Sequence, residues 1–237
     1  MTIGDPREEI KALHRAGDLK TLLVRSAALH GHYCAGLAFG VKAGHAALRR
    51  LGFDNTGMEE LIAVIECNNC FADGIQFSTG CTFGNNALIY KDLGKTAVTV
   101  MSRRTKTAVR VALRPSRLRS EKASDREKEA NELFTRVVKE RKDDPEAAER
   151  MRELFRELSF ETVERDENDL FEIADAPADF PEYAPIFDSA VCSICGEEFM
   201  ETRAVLRMGE PVCLTCAKAD CLAVLGRGVR VLTNGSW

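Results

Sequence analysis

The amino-acid sequence predicts an α+β fold that consists of an N-terminal mixed domain, a charged helical segment and a small C-terminal module. Three observations lead to this prediction. Residues 18–51 carry apolar side chains at helical spacing, whereas residues 61–66 and 96–114 show the β-branched runs and alternation of strands. Charges of both signs crowd residues 117–166. Four cysteines near the C-terminus are paired as CxxC…CxxC, which is typical of a zinc ribbon.

Two helices open the mixed domain. The first covers residues 18–29 and ends before Gly31, and the second runs from about Tyr33 to Leu51. Glycine costs about 1 kcal/mol relative to alanine in a helix interior, yet three glycines recur on one face of the second helix. These are Gly36, Gly40 and Gly44. They predict the close approach of another backbone or of a ligand, and close packing is the favoured interpretation.

Strands follow, with one more helix between them. The run LIAVIE at residues 61–66 predicts a buried strand, and CFADGIQFSTG predicts a helix that ends at Gly80. Residues 87–92 suit a further strand. Residues 96–102 and 107–114 alternate and predict an antiparallel hairpin.

Composition changes mark the domain boundaries. Pro115 begins the charged stretch, in which Asp144 and Pro145 suit the N-cap and first position of a helix. Residues 174–185 contain three prolines and suit a linker. We therefore predict a mixed domain at 1–116, a charged helical extension packed on it at 117–173, a linker at 174–187 and a ribbon at 188–237.

The C-terminal cysteines form the strongest motif. Each CxxC turns two sulfurs toward a common point, and two such pairs give the tetrahedral S4 site that Zn²⁺ prefers, with a rubredoxin-like iron site as the alternative. We expect structural zinc and a short hairpin between the two pairs. The second pair should open a helix that contains Cys221 as a packed thiol outside the site. The four ligands are Cys192, Cys195, Cys213 and Cys216.

Overall composition argues against some classes of partner. The net charge of -4 gives no sign of general attraction to nucleic acid. No basic and apolar leader opens the sequence, and no apolar run is long enough to span a bilayer, so we expect a cytoplasmic protein without a membrane partner. Disulfides are uncommon in that compartment. The nine cysteines therefore indicate metal binding or thiol chemistry.

A second group of candidate ligands lies in HGHYCAG, residues 30–36. Cys34 stands at the predicted start of a helix, where the partial positive charge stabilises a thiolate. His32 and Cys34, joined by Cys70 or Cys81, could supply three ligands and leave one position open. The alternative is four buried thiols and two hydrogen-bonded histidines. His14 is expected to be solvated and His45 to be structural or superficial.

Two motifs resemble one family. HGHYCAGLAFGVKAG is similar to the HGHxCPGxxxG opening of the FmdE family, which is named after formylmethanofuran dehydrogenase. DGIQFSTGCTFGNNALIYKDLGKTAV resembles that family's DAxQxxTGCTxGxxNLxxxDxGKxA segment, and the two motifs occur in the right order. The C-terminal cysteines agree with members that carry a zinc ribbon of the TraR/DksA type.

The resemblance implies an α+β domain that binds a metal ion in a cleft, a homodimer, and an association with a molybdenum or tungsten enzyme. We expect His32, Cys34, Cys70 and Cys81 to hold a second transition metal, which could be zinc, nickel or iron. The three cysteines are also the candidate catalytic residues. The family motifs place five further residues in the cleft, namely His30, Asp73, Gln76, Thr79 and Lys95.

Three functions follow. The preferred one is a metal-binding redox or accessory protein that works with a molybdenum or tungsten enzyme such as formylmethanofuran dehydrogenase. The second is a zinc-ribbon adaptor or nucleic-acid-binding regulator whose N-terminal cysteines are structural. The third is a thiol oxidoreductase that uses Cys67 and Cys70 as a CxxC pair.

Overall fold

The structure, a computed structural model, describes residues 4–52, 57–115 and 123–235. The chain divides into two compact units, Met1–Pro181 and Glu182–Trp237, here called the N-terminal unit and the ribbon unit. The predicted α+β class is confirmed, because helices pack on a mixed sheet in the first unit and short hairpins build the second. Among the described helices, none is both long and apolar enough to cross a membrane.

Four helices precede or interrupt the first strands of the N-terminal unit. Local signals set their ends: Gly31 and Gly80 adopt left-handed conformations after two of them, and Asn69 caps the fourth by accepting a hydrogen bond from the Phe71 N–H. The four helices are α1 (Glu8–Ala16), α2 (Leu19–His30), α3 (Ala35–Leu51) and α4 (Cys70–Thr79).

A five-stranded sheet forms the other layer, in the order β2-β1-β3-β4-β5. β1 pairs in parallel with β2, and all the other neighbours are antiparallel. The hydrophobic core lies between this sheet and helices α3 and α4, with Phe71, Ile62 and Val98 fully buried. The strands are β1 (Leu61–Ile65), β2 (Leu88–Tyr90), β3 (Ala97–Ser102), β4 (Thr107–Leu113) and β5 (Phe171–Ala176).

Helices α3 and α4 cross at van der Waals contact of their backbones. A Cβ atom on Gly40 would lie 2.2 Å from the Phe71 carbonyl oxygen, and one on Gly74 would lie 2.5 Å from the Leu37 carbonyl oxygen. One on Gly44 would meet the Ser78 side chain at 1.9 Å. The glycines of α3 therefore serve close packing, and this crossing brings the N-termini of α3 and α4 together.

The charged extension adds helices α5 (Asp125–Phe134), α6 (Pro145–Glu164) and α7 (Glu167–Leu170), with one π-helical turn at Thr135–Lys139. Asp144 caps α6 and Pro145 occupies its first turn. α6 packs on the first domain, since Phe160 contacts the Tyr33 ring and Lys42 Nζ donates to the Val163 carbonyl at 2.8 Å. Residues 117–122 of the predicted extension lie outside the described residues.

The predicted linker begins too early. Residues 174–176 belong to β5, which pairs with β4 from Leu113↔Phe171 to Ala108↔Ala176. The compact N-terminal unit continues to Pro181, whose carbonyl accepts a hydrogen bond from Arg103. A strand that pairs only with a distant partner gives little local signal, and the three prolines that suggested a linker begin one residue after it.

The ribbon unit is built from three hairpins. β6 (Ser189–Val191) pairs with β7 (Glu198–Met200), β8 (Val205–Arg207) with β9 (Glu210–Val212), and β10 (Cys221–Leu225) with β11 (Gly228–Leu232). The helix that the second cysteine pair was predicted to open is α8 (Leu214–Ala217), which lasts only one turn. It ends at Lys218, which adopts the left-handed conformation. Cys221 therefore begins a strand and is not the packed helix thiol that the sequence predicted.

Candidate metal centre

Four side chains meet where helices α2, α3 and α4 converge. His30 is the last residue of α2, Cys34 caps α3, and Cys70 is the first residue of α4. His32 lies in the short connection between α2 and α3 and is exposed. One ligand atom from each of these four residues, here called the N-terminal cluster, lies within 4.8 Å of the ligand atoms of the other three.

The two cysteines sit at helix N-termini, which favours thiolates. The Leu37 N–H donates to Cys34 Sγ at 3.4 Å. A hydrogen bond from Cys34, helped by nearby His30, lowers the pKa of Cys70 to about 5. The same hydrogen bond, together with burial, raises the pKa of Cys34. Both directions follow from a hydrogen bond between the two thiol groups, and a metal ion bound there would displace the proton of that bond.

His30 is oriented by Asp73, whose Oδ2 lies 2.7 Å from His30 Nδ1. Burial alone would lower the pKa of His30, but the Asp73 hydrogen bond and the adjacent Cys70 raise it. His30 Nε2 faces Cys34 Sγ at 3.9 Å, and the His30 and His32 rings lie 4.3 Å apart. Gln76 Nε2 donates to Asp73 Oδ1 at 3.2 Å, so this predicted cleft residue also belongs to the support of His30.

The structure does not bring Cys81 to the cluster, although the sequence placed it in the second site. Its side chain is fully buried and its thiol donates to the Leu61 carbonyl at 3.5 Å. Burial raises its pKa to about 12, which opposes both metal ligation and nucleophilic chemistry. Cys70 is the first residue of the ten-residue α4, which is about 15 Å long, and Cys81 follows its opposite end, so both cannot reach Cys34. His30 takes the place that Cys81 was expected to fill.

The hydrogen bonds of the other predicted cleft residues are made to the fold and not to the N-terminal cluster. Thr79 Oγ1 donates to the Ile75 carbonyl and accepts from the Cys81 N–H, which shapes the end of α4. Lys95 is exposed and its backbone N–H bonds the Glu66 carbonyl. Cys67 is buried among core residues, and its thiol donates to Asn69. Burial raises the pKa of Cys67, so the first thiol of the CxxC pair is not activated.

His14 is not solvated as the sequence suggested. It is 2% exposed, and its Nε2 lies 3.0 Å from the Ser78 carbonyl oxygen. Because a carbonyl can only accept, Nε2 carries the proton and Nδ1 accepts from His45 Nδ1 at 3.1 Å. Burial lowers the pKa of both imidazoles to about 4, helped for His14 by His45 and for His45 by Arg49. His45 is therefore structural, and so is His14.

The predicted ribbon ligands form a second cluster, here called the ribbon cluster: Cys192, Cys195, Cys213 and Cys216. Their sulfurs lie within 4.8 Å of one another, and the Cys213 N–H donates to Cys192 Sγ at 3.4 Å. Backbone N–H groups of Cys195 and Cys213 lower the pKa of Cys192 to about 6. Gly196 adopts the left-handed conformation that closes the first turn.

Both clusters fit transition metals by their donor chemistry. Four thiolates suit zinc or iron, and two thiolates with two imidazoles suit zinc and other borderline ions. Ligand atoms around a tetrahedral zinc ion lie about 3.3–3.8 Å apart, so side-chain movements of about 1 Å would complete either site. Within the described residues these two clusters are the groups of three or more metal-ligating side chains.

Two family models match the chain, one over the range of each cluster. The family model described as "FmdE, Molybdenum formylmethanofuran dehydrogenase operon" matches residues 29–172, which contain the whole N-terminal cluster. The prokaryotic DksA/TraR C4-type zinc finger matches residues 185–220, which contain the ribbon cluster.

A curated relative and a solved structure are also similar. A "Probable S-adenosyl-L-methionine-binding protein" of Archaeoglobus fulgidus is 39% identical over 215 residues, which are 89% of this chain. The chain spans only 56% of that relative's length. The crystal structure of a "tungsten formylmethanofuran dehydrogenase subunit e (fmde)-like protein" from Syntrophus aciditrophicus shares the fold, with a TM-score of 0.55 at 21% identity. The two structures align over 84% of this chain and 91% of the other. Since the family model covers more than half of the sequence, the chain belongs to the FmdE family and carries a C-terminal zinc finger.

Proposed function

We propose that the N-terminal cluster binds a transition metal ion and that this metal-loaded chain serves as an accessory protein to a molybdenum or tungsten enzyme. The observation that carries the proposal is the convergence within 4.8 Å of two imidazoles and two thiols, which come from the ends of three helices and from the connection between α2 and α3. Cysteine and histidine are the side chains that bind zinc and similar ions, and their ligand atoms must be free of protons when such an ion binds.

The donor set supports binding more than independent catalysis. Catalytic zinc keeps a position open for water or substrate, whereas four protein ligands close a tetrahedral site. His32 is exposed, so it is the ligand that solvent or a partner can displace most easily. The accessory role draws on the family description, which names the operon of a molybdenum formylmethanofuran dehydrogenase. We also propose that the protein forms a homodimer.

Elemental analysis of anaerobically purified protein tests the metal site. Wild-type protein should contain two metal ions per chain, and Cys34→Ser should contain one. Cys216→Ser is the matched variant, because it removes a ligand of the ribbon cluster and should leave the N-terminal metal in place. One metal ion in both wild type and Cys34→Ser would contradict the proposal and favour an adaptor with only a structural zinc.

The accessory role needs a separate experiment. Metal-loaded wild type and Cys34→Ser should be compared for binding to a purified formylmethanofuran dehydrogenase by calorimetry. Binding of the loaded protein that is weakened at least tenfold in the variant would support the role. Equal binding, or none by either protein, would contradict it.

A second candidate function is binding of S-adenosyl-L-methionine, which the Archaeoglobus relative is named for. One observation favours it: a cavity of about 340 Å³ lies between α3, α5 and α6, and Ala35 lines it next to the ligand Cys34. This volume lies within the usual range for small-molecule sites. Asn131→Trp would fill the cavity from its exposed rim. Calorimetric binding by wild type that is lost in this variant would favour the second function.

A further inference from the structure

A chain of hydrogen bonds through Asp73 and Gln76 holds His30 in place in the N-terminal cluster. A carboxylate can only accept, so the 2.7 Å contact with Asp73 Oδ2 makes His30 Nδ1 the donor. In the neutral imidazole, which is the form that binds a metal ion, the proton then sits on Nδ1, and the lone pair of Nε2 is left on the side of Cys34 Sγ, 3.9 Å away. A metal-binding histidine in proteins commonly donates its second nitrogen to a carboxylate in this way.

Asp73 is not a ligand of the cluster in this arrangement. Its oxygens are not among the atoms that converge with Cys34 and Cys70. Oδ2 is directed at His30, and Oδ1 accepts from Gln76 Nε2 at 3.2 Å. The carboxylate is therefore engaged on both oxygens and held in one orientation.

Gln76 links this carboxylate to the backbone. Its Oε1 accepts from the Phe83 N–H at 3.2 Å, so the amide is fixed at both ends and cannot flip without losing two hydrogen bonds. Asn85 holds the loop that presents this N–H, because its Oδ1 accepts from Thr82 N–H and its Nδ2 donates to the Gly80 carbonyl. Asp73 and Gln76, together with the loop that Asn85 holds, thus form one support for His30.

We propose that Asp73 and Gln76 are positioning residues that select Nε2 of His30 as the metal-binding nitrogen and hold the imidazole toward the cluster. This inference rests on the proposed metal site and goes beyond it, because it assigns how metal affinity is set by groups that do not bind the metal. Removal of such a supporting group typically lowers metal affinity about 10- to 100-fold.

The test is a double-mutant cycle on Asp73 and Gln76, in which the metal affinity and the visible spectrum of bound Co²⁺ are measured. Full-length protein whose ribbon already holds one zinc ion is titrated anaerobically with Co²⁺ and, in competition with a chelator, with Zn²⁺. Asp73→Asn should weaken the second equivalent about 10- to 100-fold and shift the visible Co²⁺ bands. Gln76→Leu should weaken it less. The double variant should match Asp73→Asn alone, because both residues act through one hydrogen bond to His30.

Two further variants keep the outcome decisive. Gln76→Glu retains the acceptor for Phe83 but places a carboxylate against Asp73, so it should weaken the second equivalent at least as much as Gln76→Leu. Asp175→Asn, on an exposed position of β5, is the matched control and should bind like wild type. Affinity of Asp73→Asn within twofold of wild type, or additive effects in the double variant, would overturn the inference. A wild-type protein that takes up no second equivalent would instead refute the proposed metal site itself.

Discussion

At the level of single residues, the buried pair His14 and His45 makes stability depend on pH. Both pKa values are lowered to about 4 by burial, against about 6.5 in an unfolded chain. Between these values the unfolded chain binds protons that the folded chain does not. The contribution of the two neutral imidazoles to the free energy of unfolding is therefore fully present above pH 6.5 and is lost as the pH falls toward 4. The depression corresponds to at most about 3 kcal/mol for each imidazole.

Denaturant unfolding at about pH 7.5 and at about pH 5 measures this dependence. Metal ligands and carboxylates also titrate in this range, so the useful quantity is the difference between proteins. The double variant His14→Gln, His45→Gln should lose less stability between the two pH values than wild type does. Equal losses in the two proteins would show that the pair does not titrate as described.

Cys81 and Cys34 should respond differently to substitution. Cys81 is buried and donates to a backbone carbonyl of β1, so Cys81→Ala should cost about 1–2 kcal/mol in the free energy of unfolding. Its metal content should stay at the wild-type value, whereas that of Cys34→Ser should fall. Denaturant titration and elemental analysis of both variants check this. Metal loss in Cys81→Ala with an unchanged fold would place Cys81 in the site after all.

The sequence predicted three of the four residues that converge in the N-terminal cluster. Cys34 and Cys70 could be predicted, because each stands at a predicted helix start, and His32 lies two residues from Cys34. Choosing between His30 and Cys81 needed the length and direction of α4, which place Cys81 at the end opposite Cys70. The burial of His14 could not be predicted, because its partners His45 and Ser78 are distant in sequence.

At the level of elements, the crossing of α3 and α4 positions the cluster. Gly40→Ala would drive a Cβ atom into the Phe71 carbonyl, which is backbone and can move only if the helices separate. We expect a loss of about 3 kcal/mol in the free energy of unfolding, the upper end for overpacking. Metal affinity should fall as well, because separation moves Cys70 away from Cys34.

Gly84→Ala is the matched control for that crossing. No atom lies within 4 Å of the Cβ position at Gly84, and the residue is exposed. Its unfolding free energy and metal affinity should remain close to the wild-type values. If Gly40→Ala behaved like Gly84→Ala, the helices would not be in the close contact that the structure gives them.

The ends of helices were predicted correctly where a capping residue, a glycine or a proline at the end itself determines them. Gly31, Gly80 and the Asp144-Pro145 pair ended or began helices as predicted. The predicted start of the linker and the predicted helix around Cys221 were wrong, because strand pairing decides the structure of both segments. β5 is a strand because β4 offers an edge, and residues 221–225 pair with β11 across a two-residue turn that begins with Gly226.

At the level of the whole molecule, the two units depend on different sources of stability. The N-terminal unit buries a large apolar core between its sheet and its helices. In the ribbon unit, by contrast, few apolar residues are buried around the ribbon cluster. Small modules of this kind take much of their folding free energy from metal ligation. The ribbon unit should therefore lose its structure when its zinc is removed, while the N-terminal sheet persists.

Hydrogen exchange read by mass spectrometry separates these cases. Cys216→Ser should abolish protection of β6 to β9 and leave β1, β3 and β4 protected, since their hydrogen bonds belong to the N-terminal sheet. Cys221→Ser is the matched control, because this cysteine stands outside the ribbon cluster and should leave protection around the cluster unchanged. Loss of protection in β3 of Cys216→Ser would mean that the N-terminal unit requires the folded ribbon. Full protection of β6 to β9 in the same variant would mean that three cysteines, or the short hairpins alone, suffice to fold it.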